Sequence, residues 1–209
     1  ADFTPAERHA GLFEDIPFQR PRSENAVLLA ENMPRWLRDQ RNSVLGAVFP
    51  YQREQDVEWY YKRYCEALCA VDDGIGAVMD KLRDMGVYED TLVIYTSDNG
   101  FLFGERGLID KRVAYETSIR VPFLMQCPAL LPAGQVYETP IANIDFAPTI
   151  MEAMGLRPPP HFDGKSFLPI ARGEDIPWRD YFLYVYLWES FFPQVPTTYA
   201  LRGERYKYI

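Results

Sequence analysis

From Val57 to Met85 the apolar residues Val57, Tyr61, Tyr64, Leu68, Val71, Ile75, Val78, Leu82 and Met85 recur in alternating steps of four and three. That spacing lines one face of a helix, so a helix is expected over Glu54–Met85, with Gly86 as its stop. Thr91-Leu92-Val93-Ile94-Tyr95-Thr96 is a continuous apolar run with β-branched residues. Without alternation, it predicts a buried strand of a parallel sheet. Helix, short loop and strand together are the unit of an open α/β sheet, where sites form beyond the carboxyl ends of strands. Val121 to Cys127 predicts a second buried strand. Asp145 can cap a helix running to Met154, ended by Gly155, and Leu156 to Phe162 reads as a proline-rich linker. Tyr181–Trp188 and Thr198–Ile209 predict strands, the second a hairpin turning near Gly203. No helix separates them, so a small antiparallel unit is expected to begin near residue 178. Residues 1–53 are rich in Pro, Arg and Asn, with short helical turns expected around Ser23–Leu29 and Pro34–Gln40. A connection that long suits a segment wrapped over a larger body.

Composition narrows the function classes. Of 209 residues, 47% are hydrophobic and 15% aromatic, which is ample for a core and argues against disorder. A formal charge of −8 argues against a nucleic-acid partner, because neutralising phosphates needs a basic face. An anionic small substrate stays open, since local charges at a site outweigh the global sum. No apolar run reaches the roughly eighteen residues of a membrane span. Cys65, Cys69 and Cys127 cannot all pair with one another, and their spacing does not suggest zinc. Buried free thiols are the favoured reading, with a disulfide to another segment as the alternative.

The chemistry concentrates in Thr-Ser-Asp-Asn-Gly-Phe-Leu-Phe-Gly-Glu-Arg-Gly-Leu-Ile-Asp-Lys-Arg, residues 96–112. Asp-Asn-Gly by itself is a common turn, but Asp98 and Asn99 also offer neighbouring carboxylate and amide oxygens, the donors a hard cation such as Ca²⁺ prefers. Lys111, further along the same stretch, could reach an anion held on that metal. A metal and a lysine converging on one anion form the electrostatic core of sulfate or phosphate ester hydrolysis.

This stretch resembles the C-terminal half of the sulfatase family, whose signature there runs roughly Ser-Asp-Asn-Gly-x-x-x-Gly-Glu-His-Gly-Leu-x-x-Lys. The resemblance continues through residues 115–122 (Tyr-Glu-Thr-Ser-Ile-Arg-Val-Pro), 143–150 (Asn-Ile-Asp-Phe-Ala-Pro-Thr-Ile) and 163–169 (Asp-Gly-Lys-Ser-Phe-Leu-Pro). Upstream, residues 70–76 look like the helix preceding the metal strand, so about residues 55–209 are covered. Within the family, the pattern is most similar to N-acetylglucosamine-6-sulfatase and mucin-desulfating enzymes. The resemblance implies an alkaline-phosphatase-like α/β fold with a mostly parallel sheet. Residues 1–177 would be the later part of its α/β domain, and residues 178–209 the start of a small antiparallel subdomain. It implies Ca²⁺ held by Asp98 and Asn99, sulfate contacted by Lys111, and a sulfated carbohydrate or other sulfate ester as substrate.

Departures from the family pattern matter as much. The family nucleophile is a formylglycine made from a cysteine or serine in Cys-x-Pro-x-Arg, and none of the three cysteines stands in that context. The N-terminal Asp-Asp pair that completes the family's metal site is absent too. The expectation is therefore an internal segment of a larger enzyme, inactive alone, whose missing N-terminal part supplies the nucleophile. Arg106 stands where the family commonly has histidine. It is either a local salt-bridge partner of Glu105 or a bidentate contact to sulfate or a sugar carboxylate, and it cannot transfer protons at neutral pH. Asp72 and Asp73, adjacent on the long helix, are expected to be structural. His9 and His161, the only histidines, fall on no family motif. Trp188, Tyr199, Arg202, Glu204 and Arg205 read as ordinary strand residues, with a sugar-binding rim as the minor alternative. A phosphonate or phosphate ester hydrolase of the same superfamily and a non-catalytic sulfatase-like module both remain open.

Overall fold

The computed structural model describes residues 3–22 and 57–209. The helical turns expected at 23–29 and 34–40 lie outside the described residues. In chain order the elements are α1 (Val57–Asp84), β1 (Val93–Thr96), β2 (Leu102–Phe103), β3 (Ile109–Asp110), α2 (Glu116–Ile119), β4 (Phe123–Gln126), α3 (Phe146–Ala153), α4 (Leu168–Ala171), β5 (Tyr181–Tyr186), β6 (Thr198–Gly203) and β7 (Lys207–Tyr208). Short 3₁₀ turns stand at Glu7–His9, Glu105–Gly107 and Asn143–Asp145. The described residues fall into two compact units. One draws on the described residues up to Asp80 with Asn99–Val121 and Val185–Thr198, the other on Lys81–Asp98, Pro122–Tyr184 and Tyr199–Ile209.

Helix α1 ends as its sequence predicts. Gly86 takes φ 70°, and the amides of Gly86 and Val87 bond back to the carbonyls of Arg83 and Leu82. Such a reversal satisfies the last carbonyls of a helix. The predicted apolar stripe is covered unevenly: Val57 is 1% exposed, whereas Val78 and Met85 are 56% and 59% exposed. The segment 3–22 packs on the earlier turns. The Gly11 amide donates to Glu66 Oε1 at 2.9 Å, and Lys62 Nζ donates to the Glu14 carbonyl at 2.8 Å. Arg8 and His9 both meet Asp73 Oδ2, at 2.6 and 3.2 Å, which gives Asp73 the structural role expected of it. Within this unit the ring of Phe103 sits 5.3 Å from Tyr61, 5.1 Å from Tyr64 and 4.8 Å from Phe101. Tilted and edge-on rings at these separations attract beyond their buried area.

The α/β class stands, but one pairing departs from expectation. β1 runs antiparallel to β4, with Val93 opposite Gln126 and Thr96 opposite Phe123. Both strands are only partly buried, Leu124 being 62% exposed. A parallel pair needs a crossover that returns the chain to its starting end, usually along a helix. Residues 97–122 contain two-residue strands, one 3₁₀ turn and the four-residue α2, none long enough for such a crossover, so the chain turns back instead. An uninterrupted apolar run does not reveal strand direction.

The second unit is organised around Asp145, which is 0% exposed. Its two oxygens accept from Arg179 Nη2 and Nη1, each at 2.6 Å, and from the Ala142 and Lys165 amides, each at 2.8 Å. The expected cap on α3 is therefore corrected. The residue precedes α3, but its carboxylate turns away from the helix amides, because charge-assisted bonds to a guanidinium are the stronger set. Thr149 Oγ1 donates to the Asp145 carbonyl and accepts from the Phe167 amide. At Gly164 a β-carbon would stand 1.9 Å from the Ile144 carbonyl oxygen, so only glycine fits there. Segments 143–150 and 163–169 are thus one clamp, with Phe123 stacked on Phe146 and edge-on to Phe167. Gly155 ends α3 as predicted, at φ 73°. β5, β6 and β7 form a three-stranded sheet, and the expected hairpin turns after Gly203, whose amide bonds to the Tyr206 carbonyl.

Removing one member of a buried ion pair leaves the other charge uncompensated. Asp145→Ala should therefore lower unfolding stability by about 3–5 kcal/mol, read from urea denaturation. A midpoint equal to the parent's would refute this role for the clamp.

Candidate active site

β1 delivers the chain directly into the loop that carries the predicted ligands. Asp98 is exposed, and Ser97 Oγ donates to its Oδ1 at 3.3 Å. Asn99 is half-buried, and its Nδ2 donates to the Gly100 carbonyl at 2.8 Å. Gly100 lies against α2: its amide donates to the Ser118 carbonyl at 2.7 Å, and a β-carbon on it would stand 2.0 Å from the Thr117 carbonyl oxygen. No other residue permits that approach.

The chain then forms a short ribbon in which β2 pairs antiparallel with β3. Its tip uses positive φ at Gly104 (104°), Arg106 (56°) and Gly107 (71°). Left-handed backbone at the non-glycine Arg106 costs about 1–2 kcal/mol. A compensating contact is present, for the guanidinium carbon lies 4.3 Å from the Tyr115 ring centroid. Burial pushes the Tyr115 hydroxyl pKa up, and the Arg106 charge pulls it back in part. Glu105 Oε2 accepts the Phe103 amide at 2.6 Å, so this carboxylate braces the turn itself.

β3 leads to Asp110, Lys111 and Arg112. Lys111 is exposed, and its backbone carbonyl accepts the Ser118 hydroxyl. No hydrogen bond or ion pair engages its ammonium among the described residues. Arg112 Nη1 bonds Asp110 Oδ1 and Oδ2 at 2.6 and 2.8 Å, and its Nε lies 3.3 Å from Glu189 Oε1. Phe192 lies beneath it, 3.5 Å from guanidinium carbon to ring centroid. Sequence reasoning missed this network. Asp110 and Glu189 are far apart in the chain, and no periodicity links them. Nearby, burial first and the Glu189 carboxylate next push the Tyr186 hydroxyl up to about 12.

Asn99 and Lys111 are thus attached to one braced framework, through Gly100 and Ser118, and Asp98 is the chain neighbour of Asn99. No cluster of three or more His, Cys, Asp or Glu suited to a metal occurs among the described residues. A carboxylate and a carboxamide on a glycine-anchored loop fit a hard, oxygen-seeking cation. His9 is committed to Asp73, and the His161 ring packs against Phe162. Cys65, Cys69 and Cys127 are free thiols. Near the C-terminus β5 ends at Tyr186, short of Trp188, whose Nε1 bonds the Pro193 carbonyl from a loop; Arg202 Nη1 bonds the Glu204 carbonyl, and Arg205, in the turn after β6, lies over Tyr206.

Comparison with known proteins identifies the family of the chain. The sulfatase family model matches residues 20–156, and the model of the C-terminal region of N-sulphoglucosamine sulphohydrolase matches residues 104–209. The chain belongs to the sulfatase family. It is 30% identical over 192 residues to the N-acetylglucosamine-6-O-sulfatase of Bacteroides thetaiotaomicron, covering 86% of this chain and 34% of that protein. The chain spans about a third of the length of the first such curated relatives. A structure solved in complex with its substrate D-glucosamine-2-N,6-O-disulfate superposes with a TM-score of 0.86 at 23% identity, over 99% of this chain and 53% of that one. A phosphonate monoester hydrolase from Silicibacter pomeroyi superposes with a TM-score of 0.75 at 25% identity, over 93% and 42% of the two chains. The chain has the alkaline-phosphatase-like α/β fold that the sequence resemblance implied.

The Tyr186 hydroxyl yields a prediction about pH. Its folded pKa, about 12, lies above the ordinary tyrosine value of 10.0, so the folded state holds this proton more tightly. Its contribution to stability is present in full below pH 10 and is lost as pH rises towards 12. Tyr186→Phe should therefore flatten the stability decline across that window in alkaline denaturation. An unchanged alkaline profile would show that Tyr186 ionises normally.

Proposed function

We propose that this chain is part of an enzyme that hydrolyses sulfate esters on carbohydrates, with Asp98 and Asn99 helping to hold Ca²⁺. The observation that best supports the reading is the shared framework: Asn99 and Lys111 hang on one backbone braced by Gly100 and Ser118. Bound Ca²⁺ would act as a Lewis acid on the sulfate oxygens. The proposed nucleophile is a formylglycine hydrate on polypeptide outside these 209 residues, since no cysteine here stands in the required context. By the same reading, the 209 residues alone do not turn over. Attack at sulfur breaks the ester S–O bond, and negative charge grows on the departing oxygen. Lys111 would offset that charge where it develops, which accelerates the step rather than merely tightening binding.

Arg106 is assigned a substrate contact, to sulfate or a sugar carboxylate. Its stack on Tyr115 uses the guanidinium face, and bidentate recognition uses the in-plane N–H edge. The family's acid–base chemistry at this position cannot be carried by an arginine. The substrate class proposed is a sulfated amino sugar, from the stated activity of the Bacteroides relative and the disulfated glucosamine bound by the structural neighbour. A phosphonate or phosphate ester hydrolase is the second reading, favoured by the superposition on the phosphonate monoester hydrolase. Turnover of 6-O-sulfated glucosamine against a phosphonate monoester by the intact enzyme decides between them.

In that enzyme Lys111→Ala should lower kcat by about 10²–10³ while KM changes little, because one transition-state charge partner is lost. An unchanged kcat would remove Lys111 from the mechanism. Asp98→Ala should abolish the rise in melting temperature that Ca²⁺ produces in the parent. Retention of that rise would remove Asp98 from the metal shell.

A further inference from the structure

We infer that Ser118 is a positioning residue, which fixes where Lys111 stands relative to Asn99. The inference rests on the function proposed above. Ser118 is 2% exposed, and three of its polar groups are engaged. Its amide bonds the Tyr115 carbonyl at 2.9 Å, its carbonyl accepts the Gly100 amide at 2.7 Å, and its hydroxyl donates to the Lys111 carbonyl. Along the chain, Asn99 and Lys111 are joined by a ribbon whose strands have two residues each and whose tip passes through three left-handed positions. Strands that short do not hold a register by themselves. Through Ser118 the same two segments are joined by two hydrogen bonds across a buried side chain. Its links separate cleanly, because the bond to Gly100 uses the backbone carbonyl while the bond to Lys111 uses the hydroxyl. Truncating the side chain should therefore release Lys111 and leave the Asn99 loop anchored.

That asymmetry is the test, carried out in the intact enzyme. Ser118→Ala should lower kcat by about 10- to 100-fold, the scale of an ångström-level misplacement, with KM changed by less than about threefold. Ser118→Thr, which keeps the hydroxyl, should recover most of the loss. In a Lys111→Ala background, Ser118→Ala should add less than about threefold, since a residue acting through Lys111 has little left to misplace. Ca²⁺-induced thermal stabilisation of Ser118→Ala should match the parent's. Multiplicative losses in the double variant would overturn the inference, as would a Ca²⁺ response that falls in step with kcat, because either marks general damage to the fold. Should Ser118→Ala not fold, Ser118→Cys enters the same cycle with the same two outcomes. A parent enzyme without sulfate esterase activity, or a Lys111→Ala variant with full kcat, would instead bring down the underlying function.

Discussion

The constraint on which the candidate site depends is the absence of a side chain at Gly100. With the Thr117 carbonyl oxygen 2.0 Å from where a β-carbon would be, the loop that carries Asp98 and Asn99 is in backbone contact with α2. That contact lets the Gly100 amide reach Ser118, and Ser118 in turn reach Lys111. Backbone-to-backbone and short buried hydrogen bonds tolerate less displacement than surface side-chain contacts, since each unmade bond leaves a buried polar group unpaired. Electrostatic catalysis needs this stiffness, because charges aimed at a transition state help only if they need no rearrangement.

Around that framework the chain places charge without leaving it isolated. Arg112 is flanked by Asp110 and Glu189 and lies on Phe192, and Arg106 lies on Tyr115. Each guanidinium is held by an aromatic face, which supports a planar cation with little loss of hydration. Among the described residues, the Lys111 ammonium has no such protein partner. The contrast suits a division of labour in which Arg112 braces the ribbon, while Lys111 and the outer edge of Arg106 are left for the contacts proposed for them.

The second unit shows how a family motif can be structural. Asp145, Thr149, Gly164 and Phe167 belong to the stretches that most clearly carry the family resemblance. In the structure they bind one another and Arg179. Their chemistry is that of a closed clamp, in which a buried carboxylate is stable because a guanidinium and two amides surround it.

The elements that local chemistry controls were legible from sequence alone. The period of α1, its stop at Gly86, the stop of α3 at Gly155 and the hairpin near Gly203 each depend on residues a few positions apart. The candidate ligands Asp98, Asn99 and Lys111 are spread over a longer stretch, and their donor types drew attention only together with the family resemblance. What the sequence could not determine were the long-range choices. An apolar strand is equally apolar in either direction, so only the short elements of residues 97–122 made β1 and β4 antiparallel. A carboxylate ahead of a helix can cap it or pair elsewhere, and only the arrival of Arg179 from a distant segment decided for Asp145. Ser118 looked like any polar residue in a short helix. Its importance arises from the Lys111 carbonyl and the Gly100 amide, which the fold brings to it from outside its own helix, and no pattern along the chain encodes that meeting.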